Sequence, residues 1–93
     1  MNDSKKLQGS AALITGAGRG IGRAIALAFA REGCHVALAA RTREEIEKVA
    51  EEVAVFSVKA LPLICDVTDH EAISRTVVAT LEVFQQIDIL VNN

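Results

Sequence analysis

The sequence predicts an α/β protein: a doubly wound parallel sheet of about four strands, in the order 3-2-1-4, with three helices. Three observations carry that expectation. Short apolar runs alternate with longer stretches of helical spacing, with no internal repeat or low-complexity tract between them. Strands joined by helices of this length imply right-handed crossovers and so a parallel sheet. The first apolar run ends in a turn with glycine at positions 16, 18, 20 and 22, which opens directly into a helical pattern. Pro62 bears on strand order, because proline cannot donate to a central ladder and suits an edge. In the order 3-2-1-4 the third strand, which carries Pro62, is such an edge.

Each element has its own signal. Ala11 to Thr15 is an apolar run that follows glycine and ends in glycine, as expected of a buried strand. Ile21, Ala24, Ile25, Ala28 and Phe29 recur at helical spacing, and Gly33 is a natural stop. His35 to Ala40 is the second strand. Thr42 with Glu45 three residues on has capping-box spacing, ahead of a helix with Ile46, Val49, Ala50 and Val53 on one face. Val58 to Cys65 is the third strand. Thr68 and Glu71 repeat the capping spacing, and Ile73, Val77, Leu81 and Phe84 mark the inner face of a third helix. Ile87 to Val91 is the fourth strand, whose free side would be a pairing liability.

Composition narrows the function classes. The chain has 93 residues, 51% hydrophobic and 24% charged, which suits one small globular domain. A net charge of −2 provides no basic field for nucleic acid or an anionic membrane. The longest apolar run, Ala24 to Ala30, is far shorter than the roughly 20 residues of a membrane span. Met1 to Gly9 are polar and lack the apolar core of a secretion signal. Cys34 and Cys65 are not spaced as a metal site and are expected to be small buried hydrophobes in a reducing compartment. A cytoplasmic protein without a metal centre is the expectation.

The glycine turn carries the chemistry. Glycine is a poor choice inside a strand or helix, but at a strand-to-helix turn it permits unusual backbone angles and removes side chains. A pyrophosphate can then approach main-chain N–H groups at a helix N-terminus. The general G-x-G-x-x-G spacing fits no register starting at Gly16, Gly18 or Gly20. The form that fits is T-G-x-x-x-G-x-G, at Thr15, Gly16, Gly20 and Gly22, with Gly18, Arg19 and Ile21 within it. In that form the sequence resembles the short-chain dehydrogenase/reductase family, over residues from about Leu7 to Asn93. The resemblance implies a Rossmann-like fold, truncated here, and a nicotinamide dinucleotide as cofactor.

Three further positions agree with the resemblance. An acidic residue about 20 residues beyond the glycines ordinarily binds the adenosine ribose hydroxyls of NAD. Here the corresponding position is Ala40, followed by Arg41. Alanine accepts nothing from a ribose, whereas arginine pairs with a 2′-phosphate, and Arg19 adds a second cation on that side. This favours NADP over NAD; alternatively, Arg41 and Arg43 are solvated loop residues. Asp66 and Val67 follow the third strand. In the resembled family they meet the adenine amino group and ring, although Asp66 also fits a role in capping the next helix. Asn92 and Asn93 look like the opening of the family's N-N-A-G motif, which implies that Asn93 touches the nicotinamide-side ribose.

The family also implies a catalytic serine, tyrosine and lysine. This sequence contains no tyrosine, and His35 and His70 are expected to be structural or solvated. No catalytic residue is therefore assigned, and the chain is expected to be a single partial domain, residues 1–93, that lacks the catalytic half. The resemblance implies hydride transfer between a nicotinamide cofactor and a hydroxyl or carbonyl group, closest in look to 3-oxoacyl-carrier-protein reductases and sugar or alcohol dehydrogenases. Two other readings stay open: an autonomous nucleotide-binding module, and an interaction protein that self-associates or pairs through its fourth strand.

Overall fold

The computed structural model describes residues 5–93; residues 1–4 of the polar opening segment lie outside the described residues. The elements alternate as expected: β1 (Ala11–Thr15), α1 (Gly20–Arg31), β2 (His35–Ala40), α2 (Arg43–Ala54), β3 (Ala60–Ile64), α3 (His70–Phe84) and β4 (Ile89–Val91). The four strands form one sheet in the order β3-β2-β1-β4, every neighbouring pair parallel. Pro62 lies opposite Leu38 on β3, whose only neighbour among the described residues is β2, so its missing N–H interrupts no central ladder.

Alternation along the strands divides the core in two. Ala12, Ile14, Val36 and Leu38 face α1 and α2, where Ala26, Ala30, Ile46, Val49 and Val53 close over them. Leu13, Ala37 and Ala39 face the other way, against Ala72, Val77 and Phe84 of α3. Covered on both faces, β1 and β2 consist of near-continuous buried apolar residues, as parallel strands require. Among the described residues no helix is long and apolar enough to cross a membrane.

Two strands are shorter than the apolar runs suggest. β3 starts at Ala60, because before it Lys59 N–H donates to His35 Nδ1 at 3.0 Å rather than to a ladder carbonyl. β4 starts at Ile89, because the Asp88 carboxylate accepts from Ala11 N–H at 2.8 Å and so occupies a ladder position.

The inner faces of α1 and α3 match the expected ones in part: Ile25 and Phe29 of α1 and Val77 and Phe84 of α3 pack, partly buried, against the core. On α1 the buried residues are Gly22, Ala26 and Ala30, while Ile21 is 71% exposed and Ala24 and Ala28 are exposed. On α3 they are Ala72, Thr76 and Thr80, and Ile73 and Leu81 are 36% and 43% exposed. In both helices small residues at four-residue spacing form the line of contact, and larger apolar side chains flank it. Thr76 and Thr80 are tolerated there because each hydroxyl donates, at 2.8 Å, to the carbonyl four residues earlier. On α2 the expected residues Ile46, Val49 and Val53 are buried, and Ala50 is half-buried.

Neither capping box forms. Thr42 precedes α2 without a side-chain cap bond. At α3 the cap is Asp69, which accepts from the N–H groups of Glu71 and Ala72 at 3.0 and 3.3 Å. Helices α1 and α2 are joined by Arg23, whose guanidinium donates to both carboxylate oxygens of Glu52 at 2.9 and 2.7 Å. Both cysteines are free and buried, and burial, with the Asp88 charge second, pushes the Cys34 thiol up to about 11.

Candidate functional site

The glycine turn runs from the end of β1 to the start of α1. Gly16 and Gly20 have φ of +60° and +59°, a region that strongly favours glycine. A Cβ on Gly22 would overlap the Gly16 carbonyl oxygen, and one on Gly16 would lie 2.8 Å from Asn93 Nδ2. The turn is therefore packed against itself and against the residues after β4. Arg19 occupies the N-cap of α1 without a side-chain cap bond, and no acidic residue stands in the first helical turn. The first N–H groups of α1 thus keep their donor capacity and the positive end of the helix dipole. Such a cradle fits a phosphate group.

Beside the turn is a cavity of about 400 Å³. Gly16, Gly18 and Arg19 line one side, Ala40 and Arg41 a second, and Asp66, Val67 and Asn93 also border it. Seven of the eleven residues expected at a cofactor site thus line one cavity. Arg19 and Arg41 are exposed, and among the described residues neither enters an ion pair or side-chain hydrogen bond. Asp66 Oδ1 accepts from Thr68 N–H at 2.9 Å and from its hydroxyl at 2.7 Å. These two bonds, with the Arg41 charge a smaller cause, hold the Asp66 carboxyl below its ordinary range. Because Asp69 caps α3, Asp66 is free of that duty.

The other four lie behind or beside the cavity. Gly20 and Gly22 shape the turn, and Ile21 projects outward. The Thr15 hydroxyl accepts from Asn93 N–H at 3.0 Å and lies 3.4 Å from the Val91 carbonyl oxygen, which ties β1 to the end of β4. Asn93 Nδ2 also donates to the Gly16 carbonyl at 3.3 Å.

Sequence reasoning missed Thr42, Glu45, Cys65 and Thr68, all of which line the cavity. The spacing of Glu45 from Thr42 also suits a capping box, and only the position of Gly18, beside which it folds, distinguishes the two roles. His35 accepts from Lys59 N–H, and its ring lies 5.8 Å from that of Phe84, in keeping with a structural role. Among the described residues no group of three or more His, Cys, Asp or Glu side chains is placed to hold a metal ion.

A turn of this form on the central strand of a 3-2-1-4 sheet defines a class. The profile of the short chain dehydrogenase family matches residues 10–93, and the chain belongs to that family. Hydroxysteroid dehydrogenase-like protein 2 of Bos taurus is 47% identical over 95 residues, which cover 95% of this chain and 23% of the relative. An NAD⁺-bound xylitol dehydrogenase superposes with a TM-score of 0.89 at 42% identity, over 91% of this chain and 33% of that one. An alcohol dehydrogenase from Thermococcus sibiricus, complexed with 5-hydroxy-NADP, gives 0.84 at 39% identity, over 87% and 35%. The chain thus spans about a quarter to a third of the length of these relatives.

Proposed function

We propose that the chain is the NADP-binding N-terminal portion of a short-chain dehydrogenase/reductase that transfers hydride between NADP(H) and a hydroxyl or carbonyl substrate. One observation supports this reading most: two guanidinium groups, Arg19 and Arg41, unpaired among the described residues, face one cavity in which Ala40 stands where an acidic residue would hold an unphosphorylated ribose. In this reading the glycine-turn N–H groups hold the pyrophosphate, and Arg41 and Arg19 take the 2′-phosphate. Asp66 accepts from the adenine amino group, Val67 lies along the ring, and Asn93 meets the nicotinamide-side ribose. Thr15, Gly20 and Gly22 keep the turn in shape, and Ile21, in the first turn of α1, offers its main-chain N–H.

When bound, the dinucleotide supplies or accepts the hydride. With no tyrosine among these 93 residues, proton transfer and substrate choice are assigned to residues outside them. The names hydroxysteroid, xylitol and alcohol all denote hydroxyl-bearing compounds, which supports a substrate of that class. A 3-oxoacyl thioester, whose reduction yields a hydroxyl, is retained within it. Two free buried cysteines support a cytoplasmic setting.

Titrating the chain with NADPH and NADH tests the cofactor assignment. NADPH should bind more tightly, and Arg41→Ala should weaken NADPH roughly tenfold or more, by loss of a charge-assisted pair, with little effect on NADH. No saturable binding at millimolar cofactor would defeat the reading, and equal losses would remove Arg41 from the 2′-phosphate. A second reading, self-association through β4, is supported by that strand's single neighbour among the described residues and by Leu90, which is 63% exposed.

A further inference from the structure

We propose that Glu45 sets how strongly this site discriminates a 2′-phosphorylated dinucleotide from an unphosphorylated one, by placing a carboxylate against the ribose that Arg19 and Arg41 address as cations. This inference rests on the reading that the cavity takes a nicotinamide dinucleotide.

The position of Glu45 is the first argument. It lies in the first turn of α2, yet the capping role that its spacing from Thr42 suggests is not taken up. Its side chain instead lies over the glycine turn. A Cβ built on Gly18 would meet Glu45 Oε1 at 2.9 Å and Glu45 Cβ at 3.0 Å. The same built atom would lie 3.7 Å from the Ala40 methyl. Glu45 and Ala40 therefore border the same spot, and the acid missing from the end of β2 stands on α2 instead. Glu45 lines the same cavity as Gly18, whose missing side chain leaves room for the carboxylate beside the turn.

Its partners are the second argument. Among the described residues Glu45 takes part in none of the ion pairs, and no side-chain hydrogen bond engages its carboxylate. Its oxygens are free to accept from the two hydroxyls of an unphosphorylated ribose, the role acidic residues play in such sites. A 2′-phosphate presents no such donors and carries a charge of about −1.5 to −2, which an adjacent carboxylate repels. Arg19 and Arg41 pull in the opposite direction. The cavity thus holds opposing charges, and Glu45 moderates a preference that the arginines create.

The test uses two probes that share adenine and the 5′-phosphate and differ at the 2′ position: adenosine 2′,5′-bisphosphate and 5′-AMP. Each is titrated calorimetrically, at low salt, against the chain and its Glu45→Gln and Glu45→Lys variants. Glu45→Gln should tighten the bisphosphate about fivefold, the size of one like-charge contact at a wet surface, and leave 5′-AMP unchanged or weaker. Glu45→Lys should move both values further the same way, and added salt should shrink the differences. Matching thermal midpoints establish that the variants are folded, and a variant that misfolds is replaced in the comparison by the other. If both probes bind the parent chain and neither responds to Glu45, or both shift together, this inference is overturned while the cofactor site stands. If the parent chain binds neither probe, both fall.

Discussion

Asp66 is held by a single neighbour two residues away. The Thr68 N–H and hydroxyl both donate to it, and with the Arg41 charge they favour its ionised form, so its folded pKa lies below the ordinary 3.8. A depressed carboxyl stabilises the fold at pH above its unfolded value and loses that contribution as pH falls through the folded value. Asp66→Ala should therefore lower the thermal midpoint modestly at neutral pH, and the gap from the parent chain should close as pH falls below 3.8. A gap that stays constant through that range would show that the carboxylate charge plays no part. At this scale residue type was informative. The glycines, Arg19, Arg41 and Asp66 were legible because phosphate, ribose and adenine demand particular donors and acceptors. Glu45 was not, since a glutamate three residues after a threonine satisfies a local rule equally well, and only the tertiary neighbour Gly18 selects the other role.

Helix faces mislead when apolar size is taken as a guide to burial. The existence and order of all seven elements were legible, because strand and helix periods differ and glycines or charged residues separate them. The faces of α1 and α3 were legible only in part: Ile25, Phe29, Val77 and Phe84 do pack against the core, but smaller residues lie closest to the sheet. Large apolar residues attract attention, yet a helix lying close to a sheet places its smallest residues on the contact line, here Gly22, Ala26 and Ala30. Ala26→Leu should destabilise the chain by about 1–3 kcal/mol through overpacking. Ala28→Leu, on an exposed position of the same helix, should stay within about 0.5 kcal/mol. Urea unfolding of the two variants decides between the faces, and equal costs would contradict the small-residue contact. Strand ends depart from the apolar runs for a related reason: the Asp88 and His35 side chains accept N–H groups that a ladder carbonyl would otherwise take.

For the whole molecule the sheet is asymmetric. β1 and β2 are buried on both faces, whereas β4 has three residues and, among the described residues, one neighbour. Self-association through β4 should appear as concentration-dependent sedimentation, and Leu90→Lys should reduce it by placing a charge on that exposed strand. A parent chain that remains monomeric across the concentration range would remove the edge from consideration. A different consequence follows from the bonds that Asn93 makes to Thr15 and Gly16, 78 and 77 residues earlier. Ring closure over such a separation is entropically costly and comes after local pairing in time. The loop nearest the start of the fold is therefore expected to acquire its final shape only when β4 docks, which would place the pocket among the latest parts of the molecule to mature.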